Sequence, residues 1–477
     1  VTDDPARPTR RTKLVCTIGP ASTGRVGELV DAGMDVARLN FSHGTHAQRS
    51  TAADRVRAAA TAMDRPVAVL ADLSGPKIRL GELAGGSVTL RPGSRFVLRP
   101  GTGPSSSPGD AHGATVSYAR LAADVRPGDD ILLADGAAQL RVTAVDGDVT
   151  TEVVRGGPIR SRQGVSVPSE RLSSPALTRK DRADVPRALA LGADYVAQSF
   201  IRTADDIREL RSLLGANGPP IVAKIETRPA IEDFDAILEV AAAVMIARGD
   251  MGVELPFEEV PIIQKQLVRR ALDRGVPSIV ATQMLESMIA APRPTRAETS
   301  DVANAVFDGA DAIMLSGETA IGRFPVLAAE SAVRVIRLCE ERGTAMLASG
   351  APSPVVGDAG ALAYAAVALA RADPDIAAIA CYTRSGRTAR LLSALRPAVP
   401  IHAYSPDPAV VARLGLVHGV VPHPCVPPTD TSARLGLMAW LVGESHVVAP
   451  GAAVVLVAST AAAGTGPNLL EIHRLPD

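Results

Sequence analysis

Cysteine is scarce. Cys16, Cys339, Cys381 and Cys425 are the only four in 477 residues. They stand far apart and none forms a CxxC pair, so neither a disulfide framework nor a zinc site is expected, and a reducing, cytoplasmic setting fits. Charge of either sign is not in excess: the net charge of -1 gives no electrostatic reason to expect nucleic acid or an acidic membrane as a partner. Small anions need only a local patch. No apolar run approaches the roughly 18 residues of a membrane span, and residues 1–11 are polar and basic, without the apolar stretch of an export signal. There is no low-complexity segment beyond a general richness in Ala.

What is present is a globular composition, 46% hydrophobic and 21% charged. At a prior of about 150 residues per domain the length suggests about three domains. Short apolar runs bounded by Pro, Gly or a charge read as buried parallel strands at residues 13–18, 34–39, 67–71, 194–198, 221–225, 244–247, 277–281 and 311–315. Helical stretches separate them. Residues 257–274 are one, with Val260, Ile263, Leu267, Ala271 and Leu272 on a single stripe and Gly275 as a stop. Eight strands alternating with helices predict an α/β fold of the (β/α)8 TIM-barrel type, whose active site lies at the carboxyl ends of the strands.

Between residues 76 and 172 the pattern changes to alternating apolar residues with Pro-Gly and Asp-Gly turns, at 87–91, 95–99, 130–133 and 139–145. This predicts an inserted small β-barrel domain, with the Gly/Pro/Ser-rich stretch 101–113 as a surface excursion. Beyond Gly343 a linker is expected through Pro354, followed by a C-terminal α/β domain with strands near 376–382, 399–404 and 453–458. The expected division is 1–75 with 173–342, 76–172, and 355–477.

Polar groups collect at the strand exits: Arg38, Asn40 and Ser42, then Asp72, then Lys224 with Glu226, then Arg248 with Asp250. The last four form a mixed-sign cluster suited to holding a hard divalent cation against an anionic substrate; a structural ion-pair network is the alternative. His43 and His46 lack a third ligand nearby in sequence and read as hydrogen-bonded scaffold. Thr383, Arg384, Ser385, Gly386, Arg387 and Thr388 lie between a strand and a helix, where backbone N–H groups can bind a phosphate; an ordinary turn is the alternative.

Several runs carry a resemblance. They are Thr-Ile-Gly-Pro-Ala-Ser at 17–22, Ala-Arg-Leu-Asn-Phe-Ser-His-Gly at 37–44, Ala-Arg-Gly-Asp at 247–250, Ala-Thr-Gln-Met-Leu-Glu-Ser-Met at 281–288, Pro-Thr-Arg-Ala-Glu at 294–298, Asp-Val-Ala-Asn at 301–304 and Leu-Ser-Gly-Glu-Thr at 315–319. Their order over essentially the whole chain resembles the pyruvate kinases, of the bacterial type and its potassium-independent subgroup. The resemblance implies phosphoryl transfer from phosphoenolpyruvate to ADP in glycolysis. Glu226 and Asp250 would carry Mg2+ (or Mn2+), Lys224 would stabilise the charge on the phosphoryl group and enolate, and Arg38 would clamp the phosphate. Backbone at Gly249 and Asp250 would hold the substrate carboxylate, with Thr282 beside the enolate carbon. Arg79 and Lys180 would meet the nucleotide phosphates at the edges of the insert, which would close as a lid. Arg248 would orient the metal-binding loop. The resemblance also implies a homotetramer and makes 383–388 the site of a phosphorylated effector. The small loop 461–468 could cover an effector, but it lacks the aromatic and basic groups that would point to a bisphosphate. A Mg2+-dependent barrel lyase or aldolase working through a pyruvate enolate, and a silent phosphometabolite sensor, are the rival readings.

One departure bears on cofactors. Many members carry Asp-Thr-Lys-Gly-Pro-Glu where this chain has Asp72-Leu73-Ser74-Gly75-Pro76-Lys77, and there the Asn, Ser and Asp hold K+. Here Asn40, Ser42 and Asp72 remain, but the Lys77 ammonium can supply the positive charge. Activity is therefore expected not to require K+. A smaller departure, Thr227-Arg228-Pro229, affects the loop after Glu226 more than the ligands.

Overall fold

The structure is a computed structural model that describes residues 10–101, 108–343, 346, 357–427, 436, 438–440, 442–443, 448–458 and 468–475. Most of the linker after Gly343, part of the stretch 101–113, residues 1–9 and the loop 461–467 lie outside the described residues. Eight parallel strands, Lys13–Thr17, Val36–Asn40, Ala68–Asp72, Tyr195–Gln198, Ile221–Ile225, Ala243–Ala247, Ser278–Ala281 and Ala312–Leu315, close into a barrel. The first pairs with the eighth, with Cys16 opposite Leu315. The expected count and order hold, with boundaries shifted by a residue or two.

Alternation along each strand decides what each residue faces. Val15, Val36, Leu70, Ala197, Val222 and Met245 fill the barrel interior. Leu14, Ala37, Val69, Val196, Ala223 and Val244 face the outer helices, in the larger core. The same period, carried one step past the apolar layers, turns Thr17, Arg38, Asp72, Ser199 and Lys224 inward at the carboxyl end. The bottom is stoppered by Leu416 from the C-terminal domain, where Tyr195 also donates to Arg413 O and the buried Lys13 ammonium to Val420 O.

The helix expected at 257–274 begins at Val260 and ends at Asp273. Pro261 sits at its start, where a missing N–H costs nothing, and Phe257 is left exposed in the preceding turn. Leu267, Ala271 and Leu272 face the core as expected, while Ile263 is only partly buried and Gln264 takes a buried place, donating to Asp308.

Residues between the third and fourth barrel strands form the β insert around Phe96, Leu98, Ile131 and Leu140. Its six-stranded sheet runs Val165–Ser166, Asp130–Leu133, Ala138–Asp146, Asp148–Arg155, Arg95–Pro100, Gly113–Val116 in spatial order. The segment 78–81 joins the two edges. Leu80 N donates to Gln163 O and Val165 N to Ile78 O on one side; Gly81 N donates to Thr115 O and Ser117 N to Arg79 O on the other. The sheet thereby curls into a small barrel.

The C-terminal sheet has five strands: Val420–Pro424, Ile401–Ser405, Ile376–Tyr382, Ala453–Ala458 and, antiparallel, Leu469–Arg474. The first and last were not expected from the sequence. Pro422 and Pro424 break the strand pattern, and an edge position is where a sheet tolerates proline.

Candidate active site at the carboxyl end of the barrel

Five inward side chains, Thr17, Arg38, Asp72, Ser199 and Lys224, lock together above the barrel core. Arg38 donates from Nε to Asp72 Oδ2 at 2.7 Å and from a terminal nitrogen to Thr17 Oγ1 at 2.9 Å. Lys224 Nζ donates to Ser199 Oγ at 2.7 Å and lies 2.8 Å from Glu226 Oε1 and 3.5 Å from Asp72 Oδ1. All are buried. Burial by itself would lower the Lys224 pKa, but Asp72 and Glu226 outweigh it and hold the ammonium above its usual range. The Asp72 carboxyl, which burial would raise, is held below its range by Lys224 and Arg38. Both shifts favour the charged forms of Lys224 and Asp72.

Glu226 differs. Burial, with the nearby Asp250 charge, pushes its carboxyl up despite Lys224. Its Oε2 accepts from Phe200 N at 2.8 Å, while Oε1 is buried beside the Lys224 ammonium without a directed hydrogen bond. Glu226, with one oxygen free of directed bonding, and the neighbouring Asp250 form an oxygen donor set that fits Mg2+ or Mn2+. Glu226 and Asp250 line one cleft with Lys77, Phe200 and Thr227.

Arg248 ties down the loop that carries Asp250. It donates to Ala281 O, Thr282 O and, at 2.6 Å, to Asp301 Oδ1, tying the short helix Arg248–Glu254 to the seventh strand's exit. Thr282 has φ 72° and Gln283 φ 55°, a left-handed pair that is costly for a β-branched residue. This turn aims the Thr282 hydroxyl at the helix, where it accepts from Gly249 N at 2.7 Å. A side chain at 249 would crowd it, since a Cβ there would sit 3.4 Å from that oxygen.

Arg38, Asn40, Ser42, Asp72, Lys77, Arg79, Lys224 and Asp250 line a second, adjoining cleft with His43. Lys77 Nζ lies 3.6 Å from Asp250 Oδ1, so its charge stands beside that carboxylate. Asn40 Oδ1 accepts from Ser42 N. His43 and His46 are exposed, and it is the backbone carbonyl of His43, not its ring, that accepts from Arg49; the expected ring scaffold is not what the structure has. Burial and then Arg79, Lys77, Arg38 and Lys180 push the His43 pKa down, which registers how many cations converge here.

Arg79 lies on the segment that closes the insert and donates to Arg162 O. Lys180 donates to Phe41 O at 2.7 Å, Ser74 Oγ at 2.9 Å and Asp184 Oδ2 at 2.6 Å, so in this state it braces two strand exits. In the C-terminal domain the turn 383–388 joins the strand Ile376–Tyr382 to the helix Arg387–Ala394. Gly386 adopts φ 78°, Thr383 and Thr388 are buried, and Arg384, Ser385 and Arg387 are exposed.

Sequence reasoning missed Ser199, Phe200 and Asp181. Ser199 bridges Lys224 to Leu73 O, Phe200 supplies a strained N–H at φ 54° to Glu226, and Asp181 accepts from Ser74 N and Gly75 N at the start of the insert. The signal for the first two was the polar Gln-Ser at the fourth strand's end; Asp181 had none beyond Thr178-x-x-Asp181, a helix-capping pattern.

Comparison with known proteins agrees with this geometry. Residues 9–329 match the family described as pyruvate kinase, barrel domain, and residues 360–473 match pyruvate kinase, alpha/beta domain. The chain is 42% identical to a pyruvate kinase of Mycobacterium tuberculosis over 98% of this chain and 99% of that protein. It is 41% identical to one of Geobacillus stearothermophilus, over 98% and 81% respectively. A crystal structure of a pyruvate kinase from Cryptosporidium parvum superposes with a TM-score of 0.88 at 33% identity, covering 98% of this chain and 96% of that one. With the barrel, the curled insert, the C-terminal sheet and the charged strand exits in place, the chain belongs to the pyruvate kinase family, phosphotransferases of glycolysis that act between phosphoenolpyruvate and ADP.

Proposed function

We propose that transfer from phosphoenolpyruvate to ADP in this chain runs through the inward cluster of Lys224, Arg38 and Asp72 with the carboxylate pair Glu226 and Asp250. The observation that carries this reading is that Lys224 is buried, charged and flanked by Ser199, Asp72 and Glu226 at the mouth of a barrel. Arg38, held by Asp72 and Thr17, is pre-oriented to clamp the phosphate, so little entropy is lost when the substrate binds. Lys224 faces the phosphoryl group and the enolate oxygen, where negative charge grows as the bond breaks. The substrate carboxylate takes the backbone N–H groups of Gly249 and Asp250, replacing the Thr282 hydroxyl at Gly249. Thr282 then faces the enolate carbon and helps pass a proton through water. Glu226 and Asp250 would hold a divalent cation, which would supply charge neutralisation to the transferring group.

Arg79 and Lys180 bind the nucleotide phosphates, and closure of the insert, residues 76–172, over the barrel of 1–75 and 173–342 excludes water. For Lys180 this requires release of Phe41 O or Ser74 Oγ. The turn 383–388, in the regulatory domain 355–477, takes a phosphorylated effector. Members of the family generally need Mg2+ and K+; in this chain Lys77 stands in for the monovalent ion. No helix among the described residues is long and apolar enough to cross a membrane, which is consistent with a cytoplasmic enzyme. Assembly into a homotetramer is carried over from the family reading. The direct test is pyruvate release from phosphoenolpyruvate with Mg2+ present, followed with and without ADP. Release only with ADP, matched by ATP formed, is expected. Release that ignores ADP would convert the reading to a lyase.

A further inference from the structure

The seven-residue helix Arg248–Glu254 carries Asp250 in its first turn and Glu254 in its last. Residues four apart lie on one helix face, about 6 Å along the axis. Both crossings between the barrel and the lid attach to this face. On the outgoing crossing the contact is Lys77 Nζ to Asp250. On the return crossing Ser169 opens the turn Ser169–Arg171, and both its hydroxyl and, at 3.3 Å, its backbone N–H donate to Glu254 Oε1.

The barrel side of the same helix is already fixed, through Arg248 to the seventh strand's exit and through Gly249 N–H to Thr282. The rest of the return crossing is also held from both sides. Arg202 donates to Leu172 O and Ser174 O from the barrel, and Arg171 pairs with Asp129 in the lid at 2.7 and 2.8 Å. Glu254, Ser169, Lys77, Glu226 and Asp250 share one cleft. Burial pushes the Glu254 carboxyl up, and the Ser169 hydroxyl and N–H oppose that rise. A half-buried carboxylate that takes two donors from a hinge, with the Arg228 backbone as a further one from the barrel, joins lid and barrel at one group.

We propose that Glu254 is a positioning residue: through Ser169 the return hinge of the lid sets the helix Arg248–Glu254, and thereby the Asp250 carboxylate opposite Glu226, so that lid position and assembly of the divalent-cation site are coupled. This rests on Glu226 and Asp250 being the ligands of that cation. A pull on the last turn is passed to the first because one turn of hydrogen-bonded helix moves as a unit.

The test measures Mn2+ binding to the full, substrate-free protein by electron paramagnetic resonance, with KM and kcat for each substrate alongside. Ser169→Ala, which removes one hydroxyl and no metal ligand, is expected to weaken Mn2+ binding about tenfold, the low end for one lost hydrogen bond to a charged group, and to raise KM for ADP more than it lowers kcat. Glu254→Ala is expected to do the same. Ser169→Thr and Glu254→Gln, which keep donor and acceptor, should stay within about twofold of the parent, and the double variant Ser169→Ala/Glu254→Ala should be no weaker than the weaker single, as members of one contact are non-additive. Unchanged Mn2+ binding in Ser169→Ala, or losses that add in the double variant, would overturn the coupling. If Glu254→Ala does not fold, Ser169→Ala with its Thr rescue carries the result. Glu226→Gln separates the two readings. If it leaves Mn2+ binding intact the ligand assignment fails, whereas if it abolishes binding while Ser169→Ala has no effect, only the coupling fails.

Discussion

Lys224→Met is expected to lower kcat about 10²–10³-fold, the range seen when a preorganised electrostatic donor is removed, while KM for phosphoenolpyruvate changes far less. Arg38 accounts for the difference between the two constants. It remains bound to Asp72 and Thr17, so the ground-state phosphate keeps its clamp, whereas charge that appears only as the bond breaks loses its partner. Steady-state kinetics at saturating Mg2+ reads this directly; a fall of less than tenfold would remove Lys224 from the transfer step. Stability should fall as well, because Asp72 and Glu226 each lose a partner in a buried site. Removing one partner of such a pair typically costs about 3–5 kcal/mol. The loss here should sit at the lower end, since Arg38 still neutralises Asp72, and calorimetry with and without Mg2+ separates the stability effect from the kinetic one. Lys224→Arg should not rescue: the planar fork cannot meet Ser199, Asp72 and Glu226 with the compact geometry of an ammonium.

The parts of the fold visible in the sequence are those where burial dictates composition. A barrel strand is covered on both faces, so Ile221–Ile225 and Ala243–Ala247 read as unbroken apolar runs apart from one charge at an exit. The insert read equally well because its strands are covered on one face only, as in Arg95–Pro100 with Phe96 and Leu98 inward. The edge strand Val420–Pro424 was not legible, since two prolines in five residues argue against a strand unless its neighbours are known. At the site, charged residues stood out and neutral ones did not. Lys224, Glu226 and Asp250 interrupt apolar runs, whereas Ser199 is a common residue whose importance comes from the Lys224 ammonium 2.7 Å away, on another strand. The left-handed turn at Thr282 and Gln283 has no local cue, for neither residue favours it; Arg248, 34 positions earlier than Thr282, helps hold it. Long-range over-determination of this kind is invisible to any window along the chain.

Turnover is expected to survive replacement of K+ by a tetraalkylammonium salt, and Lys77→Glu is expected to abolish that independence. The argument is one of charge placement. Lys77 lines the same cleft as Asn40, Ser42 and Asp72, and its Nζ is 3.6 Å from Asp250 Oδ1, with about a third of the side chain exposed. At 4 Å a unit charge is worth about 1 kcal/mol in water and about 4 kcal/mol at the effective dielectric of a protein surface. Partial exposure favours the lower half of that range. Each factor of ten in rate takes about 1.4 kcal/mol, so the variant should lose roughly five- to sixtyfold in kcat/KM for phosphoenolpyruvate when no K+ is present. A carboxylate at 77 beside Asn40, Ser42 and Asp72 adds an oxygen ligand where the ammonium stood, so K+ should restore most of the loss. Rates measured across a K+ series at constant ionic strength decide it: a parent enzyme that loses most of its activity without K+ removes the substitution of ammonium for ion. A Lys77→Glu variant that K+ cannot rescue would assign Lys77 to binding the substrate directly. The graded control is Lys77→Met, which removes the charge without adding a ligand and should fall to a similar low rate while responding to K+ less than Lys77→Glu does.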